Sequence, residues 1–273
     1  MRNQSATPHA RALAPYTGEH FDGRKLRGPG GVSYVYSGKE VQLNGEVKAA
    51  IRWAFGSGWQ ATTPVIERSG KIVEHRVSWY REGNRLGLTP GHDPAAPLDL
   101  EDALGVVETE RNVERCFGCH QTLGEPGVTC QACHGDGTAH RAKPGRGTIA
   151  RDRSVAVCSR CHRSPDAVYA SPEPEVEDAR SIRFAPVGLL ASKCYKKSLG
   201  AGGAERLTCV SCHDPHGERP RAEPAKACVG CHAVAARTRR CPRGADCASC
   251  HMKASSPMPG LRFTDHRIRV YVE

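Results

Sequence analysis

Residues 209–217 read CVSCHDPHG. Two cysteines three apart are followed at once by His213, and a second histidine, His216, stands three positions on. Thiols at i and i+3 can chelate a metal, form a redox disulfide, or attach a haem through its vinyl groups. A histidine directly after the second cysteine favours haem: thioethers fix the porphyrin edge and the adjacent imidazole reaches the iron from one face. The pattern occurs six times: Cys116-Phe-Gly-Cys119-His120, Cys130-Gln-Ala-Cys133-His134, Cys158-Ser-Arg-Cys161-His162, Cys209-Val-Ser-Cys212-His213, Cys228-Val-Gly-Cys231-His232 and Cys247-Ala-Ser-Cys250-His251. Zinc ribbons also use paired Cys-X-X-Cys, but nothing in zinc chemistry requires a histidine after every second cysteine. Thioredoxin-like redox pairs come singly and near a βαβ pattern. The expected cofactor is therefore haem c, six copies, covalently bound.

The chain has 273 residues, 14 cysteines, 5% aromatic residues, a net charge of +10 and a mean hydropathy of −0.51. A chain this polar has little to build an ordinary core from. Residues 111–273 are expected to fold around cofactor rather than around side chains, and to be unfolded without it. The basic balance invites a nucleic-acid reading. However, each ferric haem adds about one negative charge through its propionates, and no aromatic-rich basic stripe is present. Lysines and arginines near the motifs suit propionates better than phosphates. No apolar run is long enough to span a membrane. The start, MRNQSATPHARALAPY, has no apolar h-region. Covalent haem attachment takes place outside the cytoplasm, so a periplasmic or extracellular location is expected, with the start processed or lying upstream of Met1.

Residues 1–110 contain no cysteine and read as a small β-rich region. GVSYVYSGKEVQL surrounds a Ser-Gly-Lys turn with β-branched and apolar residues, and PVIERSGKIVEHRVSWY reads as a hairpin about Ser69-Gly70. In its second strand Val73, His75, Val77 and Trp79 alternate onto one face. LTPGHDPAAP is a loop by its Pro and Gly content. LDLEDALGVVETERNVERC reads as a short helix or extended linker into the first motif.

Each iron has two axial faces, and the motif histidine takes one. His216 cannot reach around the porphyrin rim to the other face of its own haem, so it must ligate a neighbouring haem or none. The same holds for His140 in GVTCQACHGDGTAH. Thirteen histidines less the six in the motifs leave His9, His20, His75, His92, His140, His216 and His266. Six distal positions thus have seven candidates, which favours six-coordinate iron throughout and an electron carrier over an enzyme. His140, His216 and His266 head the distal set, with His9, His75 and His92 completing it. On an apolar strand face, His75 has a competing reading as hydrogen-bonded core. His9, His20 and His92 lie in Gly/Pro-rich loops, and Met258 is an alternative sixth ligand. Cys194 and Cys241 are left over, and in an oxidising compartment a disulfide between them is expected.

GVTCQACHGDGTAH, LTCVSCHDPHG, DCASCHMK and FTDHRIRV resemble the periplasmic multihaem cytochromes c of the doubled Cys-X-X-Cys-His type, related to the tetrahaem cytochrome c of ammonia oxidisers. The resemblance covers roughly residues 105–270. It implies bis-histidine haems with His140, His216 and His266 as distal ligands, and electron transfer to redox partner proteins or other cytochromes. The fold class it implies is a mostly irregular, short-helical multihaem cytochrome fold, here preceded by the small β-rich N-terminal region. TPHARAL resembles a segment that follows an earlier haem motif in such proteins, which marks His9 either as a ligand or as the trace of a motif upstream.

Overall fold

A computed structural model of the chain describes residues 4–145, 147–163, 184–217, 225–232 and 246–271. The chain divides into two compact units. One runs to Ala132 and takes in Pro259–Leu261; the other begins at Cys133 and holds the remainder.

The first unit is built on a ten-stranded antiparallel sheet. Its strands are β1 (Leu13–Pro15), β2 (Lys25–Arg27), β3 (Ser33–Ser37), β4 (Glu40–Leu43), β5 (Val47–Phe55), β6 (Ala61–Arg68), β7 (Lys71–His75), β8 (Val77–Tyr80), β9 (Arg85–Leu88) and β10 (Gly105–Val107). The main path runs β10-β7-β6-β5-β4-β3-β2, with β1 on β5 and the β8–β9 hairpin on β6. The hairpin expected about Ser69-Gly70 is present: Arg68 pairs with Lys71, and both turn residues have positive φ, 51° and 73°. This two-residue turn matches the right-handed twist of the flanking strands. The turn between β3 and β4 is likewise two residues long, with Ser37 opposite Glu40.

The alternation read for Val73, His75, Val77 and Trp79 holds, since all four are buried. The strand is nevertheless interrupted at Arg76, and in β8 the alternate residues Ser78 and Tyr80 are buried as well. The core gathers Tyr34, Tyr36, Leu43, Ile51, Ile66 and Leu104 among others. Leu104 closes α1 (Leu100–Leu104), whose N-cap Asp99 accepts from the Asp102 N–H. Gly105 follows with φ 151°, and a Cβ there would meet the Glu74 carbonyl at 2.1 Å. Only glycine lets β10 lie this close to β7.

By compactness the sheet unit extends past residue 110, as far as Ala132. The reason is aromatic packing: Phe117, in the helix α2 (Glu110–His120), stands edge-on to Trp53 and Phe55 of β5, at 5.8 and 5.7 Å between ring centroids. The first cysteine motif therefore belongs to the sheet unit.

The second unit consists of short helices. They are α3 (Cys130–His134, shared with the end of the first unit), α4 (Thr138–Ala142), α5 (Val155–His162), α6 (Ala185–Ala191), α7 (Lys193–Ser198), α8 (Cys209–Cys212), α9 (Ala225–His232) and α10 (Cys247–His251). A small hairpin pairs Ala254–Met258 with Leu261–Thr264. Among the described residues its apolar cluster is Val155, Leu189 and Tyr195, with Leu190, Leu207, Cys209 and Ile268 packed against them. Residues 185–198 form α6 and α7, with Cys194 in the second of them, whereas Cys241 lies outside the described residues.

His75 is fully buried, and burial lowers its pKa from 6.5 to about 4. The folded state therefore holds this ring neutral while the unfolded chain protonates it below about pH 6.5. Stability is flat above that pH and falls as pH drops toward 4, at about 1.4 kcal/mol per pH unit. Between pH 7 and 5 the sheet unit should lose about 2 kcal/mol from this group. Urea midpoints read by circular dichroism at the two pH values check this, and His75→Gln should remove much of the difference. An equal pH dependence in the variant would refute it.

Candidate haem-binding sites

Each motif occupies the end of a helix or a single helical turn. On a helix the residues i, i+3 and i+4 share one face, so both sulfurs and the imidazole of Cys-X-X-Cys-His project together. Local caps set the turns. Asp246 accepts from the Ser249 N–H at 3.2 Å at the head of α10. At the head of α8 the Ser211 hydroxyl accepts from the Thr208 N–H at 3.0 Å.

The imidazoles share a hydrogen-bonding pattern. His120 Nδ1 lies 2.8 Å from the Ala12 carbonyl, His134 Nδ1 2.5 Å from Ala150 O, and His251 Nδ1 3.1 Å from Arg269 O. His266 Nδ1 lies 2.8 Å from Thr264 O. His140 Nδ1 lies 2.8 Å from Thr148 Oγ1, whose own proton goes to Gly145 O. In all five the partner can only accept, so the proton sits on Nδ1 and the lone pair on Nε2. This is the tautomer an iron requires, oriented by an outer hydrogen bond as metal-bound histidines are. Burial lowers the pKa of His120, and of His266, which also favours the neutral ligand form.

Two imidazole pairs lie near each other with roughly parallel planes. His134 and His216 have centroids 5.9 Å apart and planes within 4°. His213 and His266 have centroids 6.1 Å apart with planes at 27°. Face-to-face ring contact is much closer, as between His20 and Trp79 at 3.6 Å. A metal–imidazole bond is about 2.0 Å and a ring nitrogen lies about 1.1 Å from its centroid, so two imidazoles on opposite faces of one iron stand about 6.2 Å apart. Both separations match that value. Gly188 helps to position the second pair. A Cβ there would come within 2.9 Å of Arg267 N and 3.0 Å of His266 C, so its absence admits the His266 backbone against α6.

The thiols are also grouped. The Cys209 thiol hydrogen-bonds Cys158, lowering the Cys158 pKa to about 7 and raising that of Cys209. Cys228 likewise hydrogen-bonds Cys247, and burial first, then this neighbour, pushes it up to about 11. The first cysteines of the third and fourth motifs are thus neighbours, as are those of the fifth and sixth. Cys194 is a free thiol whose pKa is raised by burial and by the nearby Cys231. Its expected partner Cys241 is outside the described residues. Among the described residues no group of three or more His, Cys, Asp or Glu side chains gathers at ion-binding range.

Two expected distal ligands are placed otherwise. His75 is buried in the sheet, with Nδ1 2.6 Å from Leu104 O and Nε2 2.7 Å from the Tyr36 hydroxyl. Its Nδ1 proton is donated and its Nε2 lone pair accepts from tyrosine, so nothing remains for iron. These contacts accord with the reading of His75 as hydrogen-bonded core. The His92 side chain is 2% exposed, with Nε2 3.3 Å from Glu74 Oε2. The loop histidine expected as a ligand is here packed within the sheet unit. His9 is exposed, and its backbone carbonyl accepts from Ala12 and Val128 N–H at 3.1 and 3.0 Å. The pattern of Nδ1 acceptors was not readable in sequence, because backbone carbonyls carry no residue code.

No family model matches the chain, and no curated protein does. Two solved structures are similar. The undecahaem cytochrome from the S-layer of Carboxydothermus ferrireducens matches at 18% identity and a TM-score of 0.38, over 67% of this chain and 35% of that one. The chain thus spans about a third of that protein's length. The outer cell wall cytochrome OcwA matches at 13% identity and a TM-score of 0.58, over 97% of this chain and 76% of that one. The chain shares its fold with a cell-wall cytochrome.

Proposed function

We propose that the chain is a hexahaem c-type cytochrome that carries electrons between redox partner proteins or other cytochromes outside the cytoplasm. The observation that carries this reading is the pair of facing imidazoles, His134/His216 and His213/His266, at the spacing of two ligands on one iron. On this reading the twelve motif cysteines hold six haems, and the motif histidines supply the proximal ligands. His134 and His216 serve the iron attached through Cys130 and Cys133. His213 and His266 serve the iron attached through Cys209 and Cys212. The segment from His213 to His216 then joins two haems, which explains the second histidine of CVSCHDPHG. His140 is a third distal ligand, supported by its fixed Nδ1 tautomer. Haem iron supplies a reversible one-electron couple, and bis-histidine ligation holds it at lower potential than Met/His ligation.

The pairing of motif thiols supports close packing of the cofactors. The fold of a cell-wall cytochrome accords with a periplasmic or extracellular location, and no helix among the described residues is long and apolar enough to cross a membrane. The finer kinship, to the cytochromes of ammonia oxidisers, rests on motif resemblance alone. The reading is tested by haem content after denaturation and by redox titration. Six covalent haems per chain, a sharp reduced α-band and a broad titration at low potential are expected. Stoichiometric zinc without an α-band would overturn it. A second reading, an oxidoreductase for small nitrogen or sulfur compounds, gains from one observation: His75 and His92 are withdrawn from the ligand set.

A further inference from the structure

The histidine inventory of the chain is complete, because all 13 histidines lie in the described residues. Six follow the motif cysteines and seven remain. An imidazole can take an iron only if one nitrogen has a free lone pair with open space in front of it. The metal must come within about 2 Å, and the porphyrin plate must lie flat across the approach.

Three of the seven fail this condition, each for its own reason. His75 is 0% exposed and has both ring nitrogens hydrogen-bonded. His92 lies 3.3 Å from Glu74 Oε2 through Nε2, while its Nδ1 is buried with no hydrogen-bond partner and its side chain is 2% exposed. His20 lies flat on the Trp79 indole at 3.6 Å with planes 5° apart. Its Nε2 is 3.6 Å from a Glu19 carboxylate oxygen, and the Gly58 backbone is so close that a Cβ there would stand 3.2 Å from that nitrogen. These neighbours crowd Nε2 on that side.

Four histidines are left for six second faces. His9 and His216 are exposed, and His140 and His266 are half-buried. Two of the four already face motif histidines, His216 on His134 and His266 on His213. His9 and His140 can complete at most two of the four irons behind His120, His162, His232 and His251.

We infer that two of the six irons, among those bound by His120, His162, His232 and His251, have no histidine on their second face and are open to a small exogenous ligand. The ligand class follows from iron chemistry: a neutral diatomic such as carbon monoxide on the ferrous centre, a small anion such as cyanide on the ferric one. This inference rests on the haem reading above, and it turns the expectation of six-coordinate iron throughout into four such irons.

The test uses the haem-loaded chain. Haem content is measured first, since a value other than six refutes the cofactor reading itself. With six haems present, carbon monoxide titration of the dithionite-reduced protein should bind two equivalents per chain. About a third of the ferric haem should be high-spin by electron paramagnetic resonance. His92→Gln should leave both values unchanged, and His140→Ala should raise carbon monoxide binding to three equivalents. Six haems that are all low-spin and bind no carbon monoxide would overturn the inference while leaving the electron-carrier reading intact. A near-infrared sulfur-to-iron band at these haems, from Met258 or a thiol, would overturn it as well.

Discussion

Replacing His216 with alanine should open the second face of the iron attached through Cys130 and Cys133, and leave the haem at Cys209 and Cys212 six-coordinate. The assignment crosses the chain. His216 is four residues beyond Cys212, yet its ring faces His134, 82 positions earlier in sequence, at 5.9 Å. The expected signature is one additional high-spin ferric haem and one additional carbon monoxide bound on reduction. All six haems should stay covalently attached, because the thioethers are untouched. Loss of the imidazole removes a ligand that stabilises ferric iron, so that centre's potential should rise by something on the order of 100 mV. His266→Ala should do the same to the iron behind His213 and should not alter the one behind His134. Variants whose spin state and potentials match the unaltered protein would remove both pairs from the ligand set. A His216→Ala effect located at the haem of Cys209 and Cys212 would show that the pairing is wrong.

How much of this was readable in the chain depends on the kind of information involved. The Cys-X-X-Cys-His pattern is local, so the proposed attachment residues and proximal histidines can be read from spacing alone. The hairpin about Ser69-Gly70 was legible because a turn with two positive φ values has a narrow residue code. Distal ligation is different, since it depends on where remote segments meet. That His216 could not serve its own haem followed from reach, but its facing ring had to be seen. His75 illustrates the limit. Alternation placed it on the buried face correctly, but whether a buried imidazole serves iron or tyrosine depends on Tyr36, 39 positions away, and on the Leu104 carbonyl. The reach of the sheet unit beyond residue 110 was hidden for a related reason. Polar residues dominate Glu110–His120, and two rings, Phe117 and His120, tie that helix to β5.

The chain produced without haem should keep its first unit folded and lose its second. The two differ in what holds them together. The sheet unit has a contiguous cluster of sixteen buried residues, from Tyr16 to Leu104, within a ten-stranded hydrogen-bonded ladder. The second unit buries three apolar side chains in its described cluster, Val155, Leu189 and Tyr195, beneath helices of four to eight residues. Isolated helices shorter than about 12 residues are marginal in water. Ordering each residue costs about 1–2 kcal/mol of backbone entropy, and this cluster is too small to offset that over the whole unit. On the haem reading, apolar porphyrin surface would fill that deficit in the loaded protein. Hydrogen exchange on the haem-free chain should therefore show protection over β3–β7, while Val155–His162 and Ala185–Ala191 exchange like an unfolded chain. Limited trypsin treatment should leave a fragment ending near Ala132, and the loaded protein should resist the same digestion. Protection of Val155–His162 in the haem-free chain would mean that side chains alone organise the second unit, and the cofactor would lose its place as the core of that half.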